Sequence, residues 1–142
     1  MIDLIKSRFP EAVLDVIEFR GETTVVVAPE RLIEICTLLR DEPALHFDLL
    51  SDVSAVDRYP DHPRFEVNYH LYALEGNRSL RVKVRLDGET PSVASVTGVW
   101  PGANWHEREV WDLMGIRFEG HPDPRRIFMP DDFLGHPLRK DA

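Results

Sequence analysis

The sequence predicts an α+β domain with a mixed or largely antiparallel sheet, helices packed on one face, and an extended irregular C-terminal segment. Three observations carry this. RFEVNYHLYAL (64–74) and SLRVKVRLD (79–87) alternate apolar and polar residues with the period of a strand. PERLIEICTLLRDEP (29–43) places Leu32, Ile35, Cys36 and Leu39 at the i, i+3, i+4, i+7 spacing of one helical face. Beyond Gly115, Pro122, Pro124, Pro130 and Pro137 interrupt every window long enough for a helix. The expected organisation is therefore an α+β domain over 1–115 and, as part of the same domain, an extended docking segment over 116–142.

Taken in order, residues 3–9 read as a short helix stopped by Pro10, and AVLDVIEFRGETTVVVA (12–28) as two strands turning at Gly21-Glu22, both rich in β-branched residues. Pro29 is a favoured first helical residue and Pro43 closes that helix. Cys36, on its apolar face, reads as a buried, inert thiol. FDLLSDVSAVDRYP (47–60) predicts a third strand ending in a turn. Gly76-Asn77 suits a two-residue hairpin loop, which sets Ala73 opposite Leu80, Leu71 opposite Val82, Tyr69 opposite Val84 and Val67 opposite Leu86. All these apolar residues then share one face. The other face carries Arg81, Lys83 and Arg85 near Asn68, His70 and Tyr72, and is either a solvated sheet face or a patch for an acidic partner. ANWHEREVWDLMG (103–115) predicts a helix, capped by Asn104 with Glu107 three residues on and stopped at Gly115.

The final segment combines irregularity with anchors. Ile127, Phe128, Met129, Phe133 and Leu134 are too apolar for a free tail, and twenty-seven extended residues reach at most roughly 90 Å. The expectation is a strap lying on a surface of this domain or of another protein.

Bulk properties remove several function classes. With 17 Lys/Arg against 25 Asp/Glu and a net charge of −8, the chain lacks the basic footprint of a nucleic-acid binder. Its one cysteine precludes an internal disulfide and any cysteine-held cluster, and fits a reducing compartment. No apolar run nears the ~18 residues that span a bilayer. The N-terminus MIDLIKSRFPEA carries acids and a proline where a signal peptide would be apolar. Membrane association is therefore expected only through a partner.

His106, His121 and His136 fall fifteen residues apart, with Glu109 or Asp112 as conceivable oxygen ligands. Spacings such as H-x-x-x-H, which put two ligands on one face, are absent, and even spacing has no geometric meaning along an extended chain. A histidine beside proline is expected instead to bond a ring nitrogen to a backbone carbonyl and hold an irregular loop. Glu109 and Asp112 share a helix face, which admits either general acid–base work or an ion-pair network with Arg108, Arg125 and Arg126; the network is the favoured reading. Gly-x-Ser-x-Gly, G-x-G-x-x-G and Walker loops are absent.

The stretch ANWHEREVWDLMGIRFEGHPDPRRIFMPDDFLGHPLRKD resembles the signature of the C subunit, the 30-kDa-type subunit, of proton-pumping NADH–quinone oxidoreductase, respiratory complex I. The match runs through Glu107-Arg108-Glu109, Asp112-Leu113, Gly115-Ile116, Phe118, Gly120-His121-Pro122, Arg125-Arg126-Ile127, Met129-Pro130 and Gly135-His136-Pro137-Leu138-Arg139-Lys140-Asp141. LLSDVSAVDRYP, RFEVNYHLYAL and SVTGVWPGANW resemble the family too. The departures are Pro124, where leucine is common, and His106, where proline is. The resemblance implies a non-catalytic peripheral-arm subunit on the cytoplasmic side of the membrane, without inserting into it. It would scaffold the quinone-reducing module beside the D subunit, near the B and I subunits. FMN, iron–sulfur clusters and quinone would belong to partner subunits, and this chain would hold no cofactor, metal or catalytic residue. The implied interface is Glu107, Arg108, Glu109, Asp112, His121, Arg125, Arg126, Phe128, His136, Arg139 and Lys140. The alternative is the equivalent subunit of a membrane-bound hydrogenase or ferredoxin-fed dehydrogenase.

Overall fold

In the computed structural model of the chain, residues 1–122 and 135–140 are described. Helix α1 (Ile2–Arg8) precedes strands β1 (Val13–Phe19) and β2 (Glu22–Val27). A 3₁₀ turn (Pro29–Arg31) leads into α2 (Leu32–Asp41). Strands β3 (Leu49–Asp57), β4 (Phe65–Ala73) and β5 (Arg78–Leu86) follow, then β6 (Ser92–Ala94), α3 (Ala103–Met114) and β7 (Arg117–Glu119). The main sheet has the order β1-β2-β5-β4-β3, antiparallel except where β2 runs parallel to β5. The chain is thus α+β with a mixed sheet.

The expected helical face of α2 is the buried one: Leu32, Ile35, Cys36 and Leu39 are all inaccessible. The helix stops at Asp41 because Glu42, the residue before Pro43, is extended. These side chains meet Val67, Tyr69, Leu71, Val82 and Val84 from the inner sheet face in one core with Phe47, Trp100, Val110 and Ile116. Trp100 satisfies its indole N–H on the Phe47 carbonyl at 3.0 Å.

Two expectations need correction, and one open alternative is decided. The β4–β5 loop is four residues, 74–77, and the register pairs Leu71 with Leu80, Tyr69 with Val82 and Val67 with Val84. The slip is two positions, so every side chain keeps its face while its partner changes. Arg78 holds this register: its guanidinium donates to the carbonyls of Ala44 (3.0 Å) and Leu45 (2.6 Å), which fixes it opposite Ala73. Second, irregularity does not begin at Ile116. Ile116 and Phe118 are buried, and β7 pairs parallel to β6, so the fold continues beyond the expected boundary at 115. Of the two readings left open for the outer sheet face, the structure favours the solvated one, with its charges in balance. Glu66 pairs with Lys83 (3.3 Å), Arg85 (3.2 Å) and Arg58 (3.8 Å), while Arg81 pairs with Glu22 (3.2 Å). The register adds Asp15 and Asp52 to the same face. Among the described residues this leaves no surplus of cations there to recruit an acidic partner.

Candidate functional site

Helix α3 organises the site. Ala103, Glu107, Val110 and Met114 form its buried stripe, a helical spacing into which a carboxylate has been placed. Asn104 is not the cap: the helix begins one residue earlier, behind Gly102, with no side-chain cap bond. Glu107 therefore does not fold back on the helix start. Its carboxylate accepts from the Ser95 hydroxyl (2.6 Å) and the Val96 backbone N–H (2.8 Å), tying α3 to the chain after β6. Burial pushes the Glu107 carboxyl above its ordinary range, against the lowering effect of the two bonds and of His121 at 3.9 Å.

The three evenly spaced histidines diverge. His106 lies 3.3 Å from Asp52 of β3. His121 donates from Nε2 to the carbonyl of Asn104, in the first turn of α3, at 3.0 Å. His136 donates from Nδ1 to the carbonyl of Asp112, in its last turn, at 2.9 Å. Both Gly-His-Pro histidines thus make the ring-to-carbonyl bond expected beside proline. The two acceptors are eight positions apart on the helix, about 12 Å, so His121 and His136 are tied to the same helix.

Gly115 makes the second attachment possible. It ends α3 in the left-handed conformation (φ 75°), as expected. A Cβ there would lie 2.7 Å from the His136 ring, so the close approach also requires glycine. His136 packs on Trp111 with ring centroids 4.9 Å apart, and the N–H of Leu138 donates to the Leu113 carbonyl at 2.9 Å. The Arg139 guanidinium stands 5.2 Å from the Phe65 ring, and the N–H of Lys140 donates to Asp57.

Of the remaining expected interface residues, Asp112 is fully buried where the C-terminal residues cross the helix, Glu109 is half-buried, and Arg108 lies over Trp105 at 5.9 Å. Glu109 and Asp112 are therefore not a matched acid pair facing solvent. Arg125, Arg126 and Phe128, and with them the proposed ion pairs to α3, lie outside the described residues. A cleft of about 490 Å³ opens between α3 and β6–β7, lined by Glu107, Arg108, Trp111, Arg117, Phe118 and His121 among others. Sequence reasoning missed Ser95 and Val96, which meet Glu107 of α3, and the Asp57–Arg64 pair, seven residues apart across the β3–β4 connection; no helical or strand period marks any of them.

Fold and site define a class: a small α+β subunit whose helix α3 is a mount for residues 135–140 of the same chain. The chain belongs to the family described as respiratory-chain NADH dehydrogenase, 30 Kd subunit, whose model matches residues 25–142. The second C subunit of NADH-quinone oxidoreductase from Rhizobium etli (strain CIAT 652) is 52% identical over 137 residues, 96% of this chain and 73% of that one. A trypsin-resistant fragment of Nqo5 superposes with a TM-score of 0.71 at 35% identity, covering 86% of this chain and 96% of the fragment. The membrane-bound sulfane sulfur reductase, an archaeal respiratory membrane complex, contains a chain that superposes with a TM-score of 0.83 at 25% identity, covering 99% of this chain and 82% of that one. Among the described residues no helix is long and apolar enough to cross a membrane.

Proposed function

We propose that the chain is a non-catalytic peripheral-arm subunit of ion-translocating NADH–quinone oxidoreductase that scaffolds the quinone-reducing module beside the D subunit, with the B and I subunits as neighbours. It stands on the cytoplasmic side and reaches the membrane through those partners. FMN, iron–sulfur clusters and quinone belong to the partner subunits. The observation that carries this reading is how the chemistry-capable groups of the site are used. His121, His136 and Glu107 each hold backbone in place, which suits a part that gives shape to an assembly. The Nqo5 chain that superposes on 86% of this one is a trypsin-resistant fragment, which supports a core that is stable by itself. Truncation after Pro122 is expected to leave the sheet folded and to abolish co-purification with the D subunit. Normal assembly by the truncated chain would overturn the docking role. A flavin or cluster absorbance that stays with the isolated chain through gel filtration would overturn the cofactor assignment.

The likeness to a chain of the sulfane sulfur reductase complex favours one alternative, the equivalent subunit of a related membrane-bound respiratory complex. Affinity purification of the tagged chain from its host separates the two. An NADH-oxidising flavin subunit in the purified complex supports the first reading, and its absence beside a hydrogenase-type or ferredoxin-fed module supports the second.

A further inference from the structure

Asp57 closes β3 at the end of the sheet and is only 4% exposed, although it is charged. Its carboxylate collects an unusual number of donors. Arg64 grips it with Nε to Oδ1 at 2.8 Å and Nη2 to Oδ2 at 2.7 Å, the planar fork that fits a carboxylate best. The N–H of Tyr59 donates to Oδ1 at 3.0 Å. The last donor comes from 83 residues away: the backbone N–H of Lys140, 2.8 Å from Oδ2. Arg64 is itself held between the rings of Tyr59 (4.9 Å) and Phe65 (4.7 Å), and Arg139 approaches the same Phe65 ring.

We propose that Asp57, preset by Arg64, is the receptor of a clasp that keeps residues 135–140 folded back on this domain in the free protein. The receptor reads main chain rather than side chain, because the Lys140 contact is a backbone N–H. The segment is engaged at three successive points on alternate residues: His136 on the Asp112 carbonyl, Leu138 on the Leu113 carbonyl and Lys140 on Asp57. Each hydrogen bond alone contributes little. A short segment held at three points, with its end on a buried ion pair, opens and closes as one unit. Arg64 and Asp57 flank the β3–β4 connection, seven residues apart, so the receptor is built from neighbouring chain. The clasp then links the far end of the chain to the loop 58–64, two regions that no strand pairing connects.

Amide exchange on the isolated full chain tests this. In Asp57→Ala the amides of Lys140 and Leu138 are expected to exchange at least tenfold faster, together, while those of Tyr69 and Val82 in β4 and β5 keep their native rates. Unchanged Lys140 exchange overturns the proposal, as does acceleration at Lys140 without Leu138. Equal acceleration across β4 and β5 also overturns it, since Asp57 would then merely hold the sheet. Because Asp57→Ala leaves Arg64 buried without its carboxylate, His136→Ala supplies a second route that opens the clasp from α3 and leaves the ion pair whole. It too is expected to speed Lys140 exchange, and native Lys140 exchange in that variant overturns the single-unit behaviour. The measurement needs no partner protein, so its outcome is independent of the assembly reading.

Discussion

Gly120-His121-Pro122 and Gly135-His136-Pro137 end on the same helix through the same kind of bond, yet their surroundings differ. The His121 side chain is 3% exposed and sits beside the buried Glu107 carboxylate, in a polar pocket shared with Ser95 and Val96. His136 lies across Trp111 and over the bare Cα of Gly115, on the helix surface. The first attachment is electrostatic and internal; the second is steric and peripheral. A repeated tripeptide thus tells where chain is pinned, and the neighbours tell how strongly.

The largest effect is expected from emptying the first pocket. Glu107→Ala leaves the buried Val96 N–H without its acceptor, at about 1–3 kcal/mol, takes one of two partners from the Ser95 hydroxyl and opens a cavity in the core, and a fall in stability of about 3 kcal/mol is expected from denaturant unfolding. Gly115→Ala comes next. It forces a left-handed alanine, about 1 kcal/mol, and drives a methyl into the His136 ring. Thermal unfolding should show about 2 kcal/mol, and adding His136→Ala should recover the steric share only. A full recovery would mean that the backbone conformation costs nothing. Third, His121→Ala should cost more than His136→Ala, about 2 against about 1 kcal/mol, because only the first leaves a buried cavity as well as a lost bond. Equal losses measured by calorimetry would erase the distinction between the two attachments.

The smallest effect is the pH dependence, and it has opposite signs at two of the buried carboxylates, Glu107 and Asp57. Burial raises the Glu107 pKa, so its contribution to stability is complete below the unfolded value of about 4.3 and is lost as pH rises through the folded value. Arg64 lowers the Asp57 pKa, helped by the N–H groups of Lys140 and Tyr59, so its contribution is present above about 3.9 and is lost as pH falls through the folded value. Glu107→Gln should therefore gain melting temperature relative to the native chain as pH rises from 4 to 7. Asp57→Asn should show a shallower loss than the native chain below pH 4. A parallel shift at all pH values would assign both effects to packing alone.

Local periodicity proved a good guide wherever a residue's environment is set by its near neighbours. Leu32, Ile35, Cys36 and Leu39 are buried as their spacing requires, and the inner faces of β4 and β5 are the apolar ones. The hairpin register failed because it is decided by Arg78 reaching the carbonyls of Ala44 and Leu45, a contact between distant residues. The capping role of Asn104 failed for the same reason: Glu107, its expected partner, is claimed by Ser95 and Val96. The Gly115 stop was legible, but the approach of His136 to it was not. The carbonyl bonds of His121 and His136 were foreseeable from the adjoining prolines, although nothing in the sequence says that both acceptors lie on one helix.

The parallel pairing of β2 with β5 has a consequence for synthesis. The β1–β2 hairpin leaves the ribosome before the rest of the sheet, yet Thr24, Val25 and Val26 find their β5 partners only when Arg81, Val82 and Lys83 have emerged. Meanwhile β3, β4 and β5 form a meander of neighbouring antiparallel strands, whose short loops close sooner. The first hairpin of the sheet is thus among the last parts to be paired, and until then it exposes an apolar strand edge, the kind of surface that seeks other chains. For this protein the hazardous interval is set by the pace of translation across residues 27 to 83 rather than by the stability of the finished fold.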